Sequence, residues 1–260
     1  MLQVEMTPNL LGFTVKGDHS DLDALYDAVW DLVGSGEVDP ADISDGLGIM
    51  KERLLALCYD LRHASRGDRG VELVDSGMGE WAAQASGVPL QESNVAYSFQ
   101  VAYPEAVYDV MVLGCLVRRR TSALAKKTPY RRRADDLGYA MTDPSACEAM
   151  RFASLVLEAI GRQATPGRFA RIREYASEGA LGIQLMYTQW LDVITADYAG
   201  MSRKRRLESM STVARDMVEF YLNAQYMDLV DDVDDFAGRN GCSRGDVRVV
   251  DYPDLDRLKW

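Results

Sequence analysis

Histidine is nearly missing from these 260 residues: His19 and His63 are the only two. A His-rich metal centre is thereby excluded, and no metal site is expected. Cysteine is sparse as well. Cys58, Cys115, Cys147 and Cys242 stand singly, without C-x-x-C spacing or paired histidines. That pattern suits four reduced thiols in a cytoplasm rather than a zinc site or a disulfide framework. No apolar run reaches the roughly 18 uncharged residues of a membrane span, so no membrane partner is expected. The opening MLQVEMTPN lacks a basic stretch followed by an apolar one, and no signal peptide is expected. Nor is there a G-x-x-x-x-G-K-[ST] loop, a G-x-G-x-x-G after a strand, or an H-E-x-x-H pair. Those absences remove the common phosphate-cradling and zinc-hydrolase signatures and leave no cofactor to expect.

What is there has an ordinary globular composition, 47% apolar and 27% charged. The length allows a substantial core. One domain is expected over 1–260, with an α+β part at 1–125 and a helical part at 144–240. Net charge is −11 but unevenly spread. Between Asp18 and Asp45 lie nine acids and no Lys or Arg, whereas Arg118 to Arg133 holds eight cations and no acid.

Periodicity divides the chain. LQVEM and LGFTVKG, on either side of TPN, read as an N-terminal β-hairpin. SDLDALYDAVWDLVG follows, with a Ser20-x-x-Asp23 capping pattern, Leu22, Leu25, Val29 and Leu32 on one helical face, and Gly34 as the stop. VDPADISDGLG reads as a loop or a broken turn of helix. From Met50 to Ser65, Met50, Leu54, Leu57, Cys58 and Leu61 keep helical spacing. VELV is a third strand. NVAYSFQVAY is a fourth, with Val95, Tyr97, Phe99, Val101 and Tyr103 on one face. Pro104 opens a helix to about Ala125, KKTPYRRR is a loop, and Asp143-Pro144 and Thr165-Pro166 are two more helix starts. Ser202 begins a long helix toward Ala237, whose Leu207, Met210, Ala214, Met217, Tyr221 and Ala224 form one seam. The expected fold is predominantly helical α+β: a small antiparallel sheet of about four strands from the N-terminal half, and a helical C-terminal half.

Along NLLGFTVKGD, DLDALYDAVWDLVG, CYDLRHASRGDR, NVAYSFQVAYPEAV and SRKRRLESMSTVA, the chain resembles an uncharacterised bacterial family labelled only as a domain of unknown function. The likeness spans most of the chain. It implies a self-standing intracellular bacterial protein and transfers no catalytic residue, ligand or partner.

Four clusters are candidate sites. In CYDLRHASRGDR, Asp60 can approach His63 at i+3, and an Asp–His pair can orient an imidazole for base catalysis. No nucleophile stands nearby in a recognisable context. The plainer reading is a helix C-terminus where Arg62, His63 and Arg66 meet the dipole and the last carbonyls. Arg118, Arg119, Arg120, Lys126, Lys127, Arg131, Arg132 and Arg133 could neutralise phosphates of a nucleic acid, with Tyr130 to stack. Alternatively they pair with the acidic N-terminal helix, within the chain or across a dimer. Arg203, Lys204, Arg205 and Arg206 crowd a helix N-terminus, where the dipole disfavours cations. Either an anion, a bound phosphate or a carboxylate cluster of this chain, compensates there, with Arg62 and Arg66 as further anion candidates, or the cations are simply exposed, where water and salt reduce the cost to little. Asp231 to Asp235, DDVDD, resembles the aspartate-rich motif of isoprenoid synthases, but its partner motif is missing, and an exposed acidic helix end is the better reading.

The leading expectation is a non-enzymatic cytoplasmic protein that self-associates or binds an anionic ligand. Segregated charge is self-complementary under two-fold symmetry, so a homodimer or other homo-oligomer is the expected partner. A nucleic-acid-associated protein acting through 118–133 is the less favoured alternative. A hydrolase-like enzyme using Asp60 and His63 on a phosphorylated substrate is the third.

Overall fold

The computed structural model describes residues 1–34, 47–77, 85, 93–127 and 136–260. Four strands form one sheet: β1 (Gln3–Met6), β2 (Gly12–Gly17), β3 (Gly70–Asp75) and β4 (Ser93–Ala102), in the order β1-β2-β4-β3. All three pairings are antiparallel. In register, Val4 faces Val15 and Val15 faces Phe99, a row buried beneath the helices. Helices supply the rest: α1 (His19–Val33), α2 (Leu47–Ser65), α3 (Tyr103–Lys127), α4 (Asp136–Thr142), α5 (Pro144–Gln163), α6 (Pro166–Gly182), α7 (Thr188–Ala199), α8 (Arg203–Val218) and α9 (Ala224–Asn240). The expected class therefore holds: predominantly helical α+β, with a small sheet from the N-terminal half.

The organising element is α3. From Tyr103 to Val117 it is apolar almost all round, and it packs against α2, α4, α5, α6 and α7. A helix apolar on every side belongs in an interior. Ala106, Val107, Tyr108, Val110, Met111, Val112 and Leu113 are all buried. On α1, Leu22, Leu25, Val29 and Leu32 are buried, and Gly34 stops the helix at φ +90°. On α2, Met50, Leu54, Leu57, Cys58 and Leu61 are buried.

The structure corrects three boundaries. The cap of α1 lies two residues earlier than Ser20-x-x-Asp23: Asp18 accepts from Asp21 N at 2.9 Å, and Asp21 accepts from Asp18 N at 3.1 Å. Two capping boxes overlap in this acidic stretch, and the one directly after β2 forms. Tyr103 is not a strand residue. It opens α3, donates its amide to Leu11 O, and sets its ring between Phe13 and Tyr198. The long helix after Ser202 is two helices. A 3₁₀ turn, Phe220–Leu222, intervenes, and Asn223 caps α9 by accepting from Gln225 N. Phe220 turns inward against Tyr226, leaving Tyr221 exposed rather than on the seam. The segments VDPADISDG and TPYRRR lie outside the described residues.

The N-terminal turn ties the halves together. Leu10 sits at φ +56°, a left-handed conformation rare for a branched side chain. Its carbonyl accepts from Tyr198 Oη at 2.9 Å. After α9 the chain runs back over α2 and α3. Gln189 Nε2 donates to Arg244 O and Val247 O, and Asn9 Nδ2 donates to Trp260 O. No helix among the described residues is long and apolar enough to cross a membrane.

Candidate functional site

Of the residues that define a candidate site, only Asp60 belongs to one of the four clusters. They begin with two acids, Glu105 and Asp109, inside the apolar run of α3. Four residues apart, they share a face, and that face meets α2 and the C-terminal segment. On α2, Arg53, Leu57 and Asp60 recur at helical spacing and look toward the same space. Arg53 is the hub. Its Nη2 reaches Glu105 Oε1 at 2.6 Å and Asp192 Oδ1 at 2.8 Å, and its Nε reaches Glu105 Oε2 at 3.3 Å. A fork-shaped guanidinium suits this two-point contact. Glu105 Oε1 also accepts from Thr195 Oγ1 at 3.3 Å and Tyr252 Oη at 3.0 Å. The Tyr252 ring lies 5.6 Å from the Arg53 guanidinium carbon.

Beside this network lies a cavity of about 260 Å³. Ala56, Leu57, Val101, Ala102 and Leu255 give it apolar walls, while Arg53, Asp60, Gln100, Glu105, Asp109 and Tyr252 supply its polar atoms. Asp109 is the unusual member. It is 5% exposed, yet among the described residues no hydrogen bond or ion pair reaches its carboxyl. Burial, reinforced by Glu105 and then Asp60, holds that carboxyl well above the usual carboxylate range. Asp192 is also raised, chiefly by burial, against the opposing pull of Arg53. Tyr252 is raised by burial and by Glu105. Cys58, on α2, is pushed up to about 12 by burial and by Asp109, so it is a protonated thiol rather than a nucleophile. Nearby, Tyr108 Oη is buried with no partner.

The sequence-derived candidates fall elsewhere. Asp60 borders the cavity but takes Arg69 Nη2 at 2.8 Å, and His63 Nδ1 lies 2.9 Å from Asp68 Oδ2. The i+3 pair therefore has a competing partner at each end. The His63 ring lies tilted against Tyr59, centroids 4.2 Å apart, outside the cavity lining. Gly67 at φ +81° and the Asp68 N to His63 O bond close this helix end. Arg62 and Arg66 are exposed around it.

Arg206 is buried, and its guanidinium donates to Tyr198 O, Ala199 O and Asn9 O. Arg203 Nε donates to Pro8 O at 2.8 Å. The compensating partners at this helix start are thus backbone carbonyls: the C-terminal end of α7 and the N-terminal turn. Lys204 and Arg205 are exposed. In the basic segment, Arg120 bridges Asp31 at 2.7 Å and Asp143 at 2.6 Å, an internal pairing with the acidic helix α1. Arg118 and Arg119 are exposed. Lys126 and Lys127 end α3, with side chains outside the described residues, and Arg131, Arg132 and Arg133 lie outside them altogether. In the acidic pentad, Asp234 is held by Arg244 and Tyr187, and Asp235 by Arg239. Among the described residues no group of three His, Cys, Asp or Glu is placed to hold a metal ion.

A signal for this buried cluster was present in the sequence. Two carboxylates in a run otherwise apolar for fifteen residues are costly to bury unless they are paired or used.

The family described as "Domain of unknown function (DUF6904)" matches residues 2–260. The chain belongs to this family. No curated protein and no solved structure matches it. Residue roles in this DUF6904 chain are accordingly argued from its own geometry, and the matched span takes in every element that walls the cavity.

Proposed function

We propose that this protein binds a small polar molecule in the cavity bounded by α2, β4, α3 and the C-terminal segment, in a binding rather than a catalytic role. The observation that carries this reading is Asp109. A carboxyl buried without a hydrogen bond costs stability, and here it borders an open space that a partner atom can enter. What supports binding over catalysis is the state of the other groups. Arg53 and Glu105 are held by each other and their neighbours, Cys58 is a protonated thiol, and Asp60 and His63 each have another partner. The anionic-ligand reading draws less support, because Arg203 and Arg206 already donate to carbonyls. The test is a thermal-shift screen of small metabolites on the full chain and on Asp109→Asn. A compound that raises the wild-type midpoint and leaves the variant unmoved is expected. A screen in which every compound shifts both alike would overturn the reading.

Self-association keeps a separate support. The outermost strand β3 carries Val71 and Leu73, 53% and 74% exposed, on the face that continues the core row. An exposed apolar edge strand is a template for a second copy. Sedimentation velocity at low salt is expected to show a dimer that Leu73→Lys dissociates. A monomer at high micromolar concentration would end this second reading.

A further inference from the structure

We infer that β3 pairs antiparallel with β3 of a second copy, across a two-fold axis through Leu73 that joins two four-stranded sheets into one. The inference rests on the self-association reading above and gives it an orientation and a register.

The sheet has two outer strands, and one of them is left open. β1 packs against α5, whereas among the described residues β3 is bonded to β4 alone. Along β3, every residue but Val74 is exposed, and Val74 is half-buried. An outer strand presents a row of backbone N–H and C=O groups, which proteins usually blunt with Lys, Pro or a bulge. GVELVD carries no Lys or Pro, and its pairing with β4 runs without a bulge.

The side chains select the occupant. Val71 and Leu73 lie on the face that continues the core row, and Val95, opposite Leu73 on β4, extends this apolar surface. Arg69 precedes the strand and Asp75 ends it. A cation, two apolar residues and an acid, in that order on alternate positions, complement themselves when one copy is turned round. The Arg69 end of each strand then meets the Asp75 end of the other. A parallel, in-register copy would set Asp75 beside Asp75 and Arg69 beside Arg69, which is unfavourable.

Register follows from the pleat. An axis between two residues would turn the apolar face of one copy to the polar side of the other, so the axis passes through a residue. Centred on Glu72, with Gly70–Val74 paired, two carboxylates stand directly opposite each other. Centred on Leu73, with Val71–Asp75 paired, the most exposed apolar side chain of the strand meets its own copy. Glu72 then faces Val74 and keeps its ion pair with Lys16 on the polar side. Asp75 lies diagonally from Arg69 of the other copy, within reach of that long side chain. One short strand a side is a small interface, so a dimer that dissociates on dilution is expected.

The experiment is disulfide trapping in the full chain at high micromolar concentration, with Cys147 and Cys242, the two thiols that are not buried, changed to serine. Leu73→Cys, Glu72→Cys and Val71→Cys are each oxidised alone, at exposed sites that tolerate the change. Directly opposite residues have Cα atoms about 4.5–5.5 Å apart, and a disulfide does not span more than about 7 Å. Leu73→Cys is expected to trap dimer at least tenfold faster than either neighbour, and Val71→Cys chains should cross-link to Asp75→Cys chains. Trapping at all three positions would show a parallel pair, and trapping at Glu72→Cys alone would show the other axis. Either result overturns the inference while self-association stands. No trapping, with a dimer that Leu73→Lys still dissociates, overturns the register alone. A monomer in sedimentation ends both.

Discussion

At the scale of single residues, Asp109 is where this sequence departs from ordinary folding economy. Its carboxyl is pinned between apolar packing and two acidic neighbours, and burial raises it well above the usual range. The sign of the consequence follows from linkage. A carboxyl whose folded value lies above its unfolded value, about 3.9, contributes fully below that unfolded value. It then loses stability as pH rises toward the folded value. Asp109→Asn cannot ionise and lacks this slope. Urea unfolding of both proteins at pH 5, 6 and 7 should therefore show wild type falling relative to the variant by up to about 1.4 kcal/mol per pH unit. Parallel stabilities across that window would show that Asp109 ionises freely in the fold. The sequence held this residue in plain view, as an acid inside an apolar run. Composition could not rank it among 40 Asp and Glu, because what sets it apart is the missing partner, and a missing partner is visible only in space.

At the scale of elements, periodicity and punctuation carried most of the fold. The hairpin, the apolar faces of α1 and α2, the Pro-marked starts of α5 and α6, and the four strands were all legible as local pattern. What local pattern could not reach was decided by long-range contacts. The break at 219–223 contains no Gly or Pro, and both flanking helices bury faces at the same spacing. Only the inward turn of Phe220 onto Tyr226 separates them. The cations at the start of α8 are a second case. Read alone, they oppose the helix dipole. In the fold, Arg206 reaches back to the last carbonyls of α7 and to Asn9 O, nearly two hundred residues away in sequence. Arg206→Met would take the side-chain donor from Ala199 O and Asn9 O, Tyr198 O keeping the Met201 amide, with an expected loss of about 2–4 kcal/mol. The adjacent Arg205→Met, at an exposed site, should leave the unfolding midpoint unchanged. Chemical denaturation of the pair makes the comparison, and equal midpoints would mean that the carbonyls find water instead.

At the scale of the whole molecule, the segment after α9 closes the fold on itself. It returns from Val247, held by Gln189, crosses Arg53 and Glu105 with Tyr252, and ends at Trp260, whose carbonyl accepts from Asn9. N-terminal turn, central helix, α2 and C-terminal segment thus share one polar seam, and the cavity lies along it. This was invisible in the sequence, since DYPDLDRLKW has no periodicity and its meaning lies wholly in what it covers. If the seam is a strap, cutting its middle should loosen both ends of it. Tyr252→Ala removes the ring over Arg53 and the hydroxyl on Glu105, exposing a guanidinium–carboxylate pair whose strength depends on exclusion of water. The expected cost is about 1–3 kcal/mol, by analogy with other losses of a packed, hydrogen-bonded aromatic. Trypsin should then cut faster after Arg257 and Lys259, and hydrogen exchange should quicken in the first turns of α3 as well as in the segment itself. Quickened exchange confined to residues 248–260 would show a tail lying on the surface, and not a strap that holds Glu105 and Arg53 in place.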